Sequence, residues 1–527
     1  MRKISPFLYM FLILMATSLF ADQDASLWRS AKDVLNKRCV SCHACYSSPC
    51  QVDLSSYEGI SRGSHKDNVY DGLRLIETKP TRLFIDASSS ATWQRKFGFF
   101  PIVNKKGADA ILLDSVLTGQ RRASNYTDLK FDTKSGLFCP NPSQSQSVNK
   151  SHPERGMPFG LPALDTKEIN ILRKWASAGY PGTDGNESEL LQNIPKTLKA
   201  AVSKFERYLN STKIQDQIVS RYLYEHLFLA HIYFTGFDRK FYRLVRSSTP
   251  APKPIAEMST VRPFDPPTAK KVYYRLRPIV SELVHKNHIV FEVNSEILEK
   301  WNETLNKGKW IESPKTMPSY DKAQASNPFR TFKDMPLEGR YKFFLENARY
   351  FAMTFIRGPV CEGQIAVNVI RDHFFSFFID PKFDLSITDP EFLIKAAPLL
   401  DLPAKGESSP FESYYKKFKE QQMKYLAFRA EQYQKKRLRG DTKKAIWDGD
   451  GNDRDAALTI FRHFDNSSVI KGMWGGTAET VWIMDYPIFE RMYYLLASGF
   501  NVFGNVFHQS STRLYMDSLR VEAENNY

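Results

Sequence analysis

Four of the six cysteines fall within twelve residues, at Cys39, Cys42, Cys45 and Cys50. Thiols this close in sequence either hold a metal or prosthetic group or cross-link, and each outcome fixes the local backbone. The run Cys39-Val40-Ser41-Cys42-His43 matches C-x-x-C-H, the spacing of c-type haem attachment. Two thiols so spaced reach the edge of one flat porphyrin, and the adjoining imidazole reaches its iron. The wider spacing also approaches an iron–sulfur run, and four thiolates can hold zinc. Those two readings use Cys45 and Cys50 but leave His43 without a role. On the haem reading, Cys45 and Cys50 are expected to form a disulfide, with Cys139 and Cys361 free or paired.

The N-terminus bears on the compartment. Arg2 and Lys3 precede an apolar stretch from Pro6 to Phe20, and Ala21 supplies a small residue before Asp22. Residues 1–21 therefore read as a signal peptide, with an uncleaved anchor as the alternative. The net charge of +15 favours polyanions. Export to the periplasm removes nucleic acid as a partner and leaves anionic lipid headgroups. No later segment is apolar for long enough to span a bilayer.

Around the cysteines the pattern is that of a cytochrome c-like helical domain over residues 22–185. Leu27, Trp28, Ala31, Val34 and Leu35 recur at helical spacing and deliver Cys39 to the haem. Asp165 and Glu168 form a capping-box start for a second helix with Ile169, Leu172 and Trp175 on its apolar face. Gly179 and Pro181 end it. Met157, in a Met-Pro loop ahead of that helix, is a thioether for the iron's sixth position or else lines the pocket. The Ser/Asn/Lys-rich stretch 141–152 reads as an elaborated loop, and residues 182–186 as a linker. The remainder, 186–527, reads as a larger, mostly helical α(+β) domain, so the expected fold class is mainly α.

Several runs carry a family likeness. Arg38 to Tyr46, Ser48-Pro49-Cys50-Gln51, Val69-Tyr70-Asp71-Gly72 and Pro80 to Phe84 resemble the fatty acid cis/trans isomerase family. So do Tyr224-Glu225-His226, Phe241 to Ser247, Gly358 to Gln364, Asp372-His373-Phe374-Phe375, Phe461 to Asp465 and Gly504 to Gln509. The resemblance implies isomerisation of cis acyl double bonds to trans, without bond migration or a diffusible cofactor. It implies one covalent haem c, on Cys39, Cys42 and His43, and a role in adapting membrane fluidity. Fatty acids or phospholipid acyl chains are the implied substrates. The family pattern also implies a chain continuing beyond Tyr527. The rival classes are an electron-transfer cytochrome, for which one haem and Met157 suffice, and a haem sensor.

The C-terminal half offers weaker signals. A Pro-rich stretch from Thr249 to Pro267 reads as an extended connection. The aromatic-dense segments Tyr341 to Phe355 and His373 to Phe378 read as an acyl groove or as core. His226 and His231 are turned apart on a helix, while His285 and His288 could share a face without an acidic cluster beside them. Asp448, Asp450 and Asn452 lack the glycine and closing glutamate of a calcium loop. From Phe411 to Arg439, Phe411, Tyr415, Phe418 and Tyr425 alternate with lysines and arginines. That pattern suits a helix lying in a headgroup layer or one docked by its aromatic face.

Overall fold

The computed structural model describes residues 23–45, 47–104, 110–121, 139–183, 193–359, 371–404, 411–436, 442–449, 457–463 and 466–526. The leader at 1–21, most of the 182–186 linker, Cys361 and most of the Asp448–Asn452 stretch lie outside them. The chain divides into two compact units. The first holds residues up to Val69, Thr81–Asn186 and Val280–His285; the second holds Tyr70–Pro80, Glu187–Ile279 and Lys286 onward.

In the first unit, the helix over 23–38 buries Trp28, Ala31, Val34 and Leu35, one face of a 3.6-residue period. The helix Thr166–Ser177 starts on a capping box, the Asp165 carboxylate accepting from the Glu168 N–H while the Glu168 carboxylate accepts from the Asp165 N–H. Trp175 of that helix meets Trp28, ring centroids 5.7 Å apart. The stretch read as a loop contains a helix, Pro142–Ser151, because Asn141 and Gln144 form a second capping box ahead of it. Arg62 is fully buried: it donates to the Gln51 and Thr81 carbonyls and lies over the Phe99 ring. Burial pushes its pKa down to about 10, against the pull of Asp53.

The second unit holds two four-stranded sheets with the same strand order and directions. The first comprises β1 (His231–Phe234), β2 (Tyr242–Ser247), β3 (Tyr273–Pro278) and β4 (Val290–Val293). Its order is β3-β2-β1-β4, antiparallel except for the β1–β4 pair. The second comprises β5 (His373–Phe378), β6 (Ala457–Arg462), β7 (Ser467–Lys471) and β8 (Val481–Met484). Its order is β7-β6-β5-β8, with β5 and β8 parallel. Each sheet follows a helix, Ile214–His226 or Ala348–Arg357, and each is succeeded by a helix running into a π-helical turn. Asn294 caps the helix after β4 and Asp485 caps the one after β8. The halves differ at one connection. Residues 235–241 join β1 to β2, whereas 379–456 join β5 to β6 and carry the helices Leu385–Thr388, Pro390–Ala396 and Phe411–Lys435.

Two expectations are corrected here. The described residues are 48% helical and 11% strand, with two mixed sheets, so the fold is not clearly mainly α, and no cytochrome c-like domain is evident among them. The two flanking helices form as their spacing dictates. Between them stand several further short helices, a Ser64–Phe100 bridge and the Cys50–Cys139 disulfide, in place of a compact helical cytochrome. The aromatic face of Phe411–Lys435 is docked rather than exposed: Phe418 and Tyr425 are buried, the first against Tyr515 and the second under the Arg491 guanidinium. No helix among the described residues is long and apolar enough to cross a membrane.

At the centre of the second unit, Glu490 accepts from Arg340 Nη2 at 2.9 Å and lies 3.1 Å from His226 Nε2, all three side chains fully buried. Burial raises the pKa of Glu490, but Arg340 and His226 outweigh it and hold the carboxyl below its ordinary value. Removing one member of a buried ion pair strands the other. Arg340→Met should therefore cost about 3–5 kcal/mol in chemical denaturation. Adding Glu490→Leu to it should recover part of that loss.

Candidate functional site

The C-x-x-C-H segment follows the end of the 23–38 helix. The Cys39 and Val40 N–H groups both donate to the Leu35 carbonyl, closing the helix. The Cys42 and His43 N–H groups then donate to the Cys39 carbonyl at 3.1 and 3.0 Å. This turn gathers the two thiols and the imidazole on one short loop. Cys39 is buried against the core of the unit and Cys42 is exposed; both are free thiols.

His43 Nδ1 lies 3.2 Å from the Val52 carbonyl. A carbonyl only accepts, so Nδ1 carries the proton and the ring's lone pair falls on Nε2, the nitrogen a metal would take. Backbone orientation of a ligating imidazole in this way is usual.

The other clustered cysteines go elsewhere. Cys50 pairs with Cys139 and not with Cys45, a correction to the expected bridge, and Cys45 is itself disulfide-bonded. With those sulfurs committed, a four-thiolate zinc or iron–sulfur site over Cys39–Cys50 is not available. Two free thiols and one oriented imidazole remain, which is the donor set that covalent haem requires.

Met157 is part-buried against the same core that holds Cys39. Its N–H donates to the Ser115 carbonyl at 2.8 Å. Gly156 passes so near the Thr118–Gly119 backbone that a Cβ there would lie 2.2 Å from the Gly119 nitrogen. Any larger residue at 156 would push the Met157 loop away.

A model of the fatty acid cis/trans isomerase family matches residues 78–527. The chain belongs to that family. The match covers the whole duplicated-sheet region and begins after His43, so membership does not depend on the C-x-x-C-H segment. Comparison with curated proteins and with solved structures gives no match.

Several residues that carried the family likeness have structural work in this fold. Asn505 caps the helix Val506–Glu524, accepting from the His508 N–H, and Gln509 donates to the Gly504 carbonyl. His226 is fully buried and so out of reach of any substrate. His231 lies against His288, Nδ1 to Nδ1 at 2.9 Å. The aromatic run from Tyr341 to Phe355 lies in the core, Phe344 stacking on Phe351 at 4.0 Å.

His508 gives a pH prediction. Its Nε2 accepts from the Asn501 N–H at 2.9 Å, and burial, with Arg262 nearby, pushes its pKa down to about 3. An imidazole depressed in the folded state stabilises fully above its unfolded pKa of about 6.5 and loses that contribution as pH falls toward the folded value. His508→Gln keeps an acceptor but does not titrate. Its melting temperature should fall less steeply than that of the parent protein as the pH is lowered from neutrality.

Proposed function

We propose that this chain converts cis double bonds of unsaturated fatty acyl chains to trans in the periplasm, using one haem c bound through Cys39, Cys42 and His43. The observation that carries the haem part is the oriented His43 imidazole beside two free thiols, in a segment whose other cysteines are oxidised. Family membership supports the isomerase part. The apolar leader and the disulfides support an oxidising compartment outside the cytoplasm.

Rotation about a C=C bond is blocked by π overlap. When bound, a haem iron supplies a centre able to draw density from the alkene and so weaken that overlap. The protein's own residues do the remaining work. Cys39 and Cys42 would fix the group's position, and the Val52 carbonyl holds the His43 ring in the orientation and tautomer needed for ligation. The buried surface around Cys39, with Leu35, Val40 and Leu54, would exclude water from one edge of the site. Met157, whose backbone N–H donates to the Ser115 carbonyl, would offer its thioether to the iron or line the pocket beside it. Straighter trans chains pack more closely, so the reaction would stiffen a membrane under fluidising stress.

The test is a conversion assay on the full chain matured with haem c. Purified protein meets a cis-monounsaturated fatty acid with no added cofactor, and trans product is quantified by gas chromatography. We expect trans product from the parent protein and a loss of at least about a hundredfold with His43→Ala, in line with removal of a metal ligand or its support. Met157→Ala should leave haem attached and alter its absorption spectrum. An intact haem c spectrum without trans product would overturn the isomerase reading for this chain.

A further inference from the structure

The turn that presents the Val52 carbonyl to His43 is held from several directions. Cys50 and Gln51 follow one another with positive φ, 55° and 53°. Neither is glycine, so the backbone stays left-handed here against a steric penalty that its partners must offset. Cys50 is tied to Cys139, and its carbonyl accepts from the His65 N–H at 2.8 Å and the Ser64 hydroxyl at 3.2 Å. The Gln51 carbonyl accepts from the buried Arg62 at 2.6 Å, and its side-chain oxygen accepts from the Thr81 hydroxyl at 2.7 Å. Just beyond the turn, the Leu54 N–H donates to the His43 carbonyl at 2.7 Å. Residues 52–54 therefore grip His43 at its backbone and at its ring.

The Val52 carbonyl has a second donor. Ser48 is 3% exposed, and its hydroxyl donates to that oxygen at 2.5 Å, against 3.2 Å for His43 Nδ1. Ser48 stands at the N-cap of the Pro49–Gln51 turn, where a serine side chain ordinarily accepts from a backbone N–H. Its side chain makes no such bond here. The hydroxyl is turned instead onto the one atom that orients the imidazole. Two donors on one carbonyl oxygen divide its lone-pair density, and the nearer donor takes the larger part. The His43 Nδ1–H is left with a weakened acceptor. A weaker acceptor at Nδ1 makes Nε2 less basic, the reverse of what an undivided carbonyl or a carboxylate does for a ligating histidine.

We infer that Ser48 is a positioning residue that keeps His43 a weak electron donor by competing with it for the Val52 carbonyl. The inference rests on the haem reading for what His43 donates to, and on the two hydrogen bonds for the competition itself. A weak donor leaves a bound iron electron-poor, which suits a centre meant to draw density from an alkene. The run Ser48-Pro49-Cys50-Gln51, part of the family likeness, then acquires a purpose. Its serine supplies the competing hydroxyl, and its two left-handed residues turn the chain so that Val52 meets both donors.

The experiment compares the parent with Ser48→Ala and Ser48→Thr in the full chain, both haem-matured and haem-free. Melting curves check the fold. In the matured protein the reduction potential is read by redox titration. We expect Ser48→Ala to shift that equilibrium at least about threefold toward oxidised iron, the scale of one hydrogen bond, and Ser48→Thr to stay near the parent. In the haem-free chain, isotope-labelled histidine lets the His43 Nδ1–H resonance be followed by NMR. It should move downfield in Ser48→Ala, as the bond to Val52 strengthens, and return with threonine.

A reduction potential unmoved by Ser48→Ala overturns the inference. So does an unmoved Nδ1–H resonance, or a shift that Ser48→Thr fails to reverse in a protein that melts like the parent. A chain that takes up no haem on maturation removes the haem reading instead, and the haem-free resonance then still decides the competition at Val52.

Discussion

Glu490 is the carboxylate around which the second unit is organised. Taking it out of water is costly, and the cost is offset only because Arg340 and His226 meet its two oxygens. Those partners come from distant parts of the chain: the helix before the first sheet, the helix between the sheets, and the helix after the second. Around the same point, the Tyr350 and Tyr493 hydroxyls both donate to the His226 carbonyl. Tyr494 donates to Glu225, whose other oxygen accepts from Arg221. A single buried polar network thus sets the register of three helices, and the aromatic core fills in around it.

The matching sheets show how the second unit is economical in its design. One pattern, helix, four strands in the order three-two-one-four, helix and π-helical turn, is used twice. Residues belonging to that pattern are mostly committed to holding it together. The segments that depart from it, between the sheets and between β5 and β6, together line a mainly apolar depression of about 460 Å³. A scaffold that is satisfied internally leaves chemistry to its additions.

The sequence was legible where signals are local. Trp28 to Leu35 and the Asp165–Glu168 capping box each predict the backbone that forms. The sheets were not legible, because their strands are four to six residues long and several are buried on both faces. His-Phe-Phe-Ser-Phe-Phe, the sequence of β5, has no alternation to separate strand from buried helix. The pairing of Cys50 with Cys139 spans 89 residues and follows from no spacing rule.

The cysteine arrangement places opposite chemical demands on neighbouring atoms. Cys39 and Cys42 are free thiols, the state in which the proposed haem would need them, while Cys45 and Cys50, a few residues on, are oxidised. If the chain is exported and carries haem as proposed, all of them meet the same oxidants, and a bridge between Cys39 and any neighbour would close the loop to haem. On that reading biogenesis becomes a matter of timing: the bridge to Cys139, 89 residues away, would form while the two thiols ahead of it are kept or returned to the reduced state by thiol–disulfide exchange.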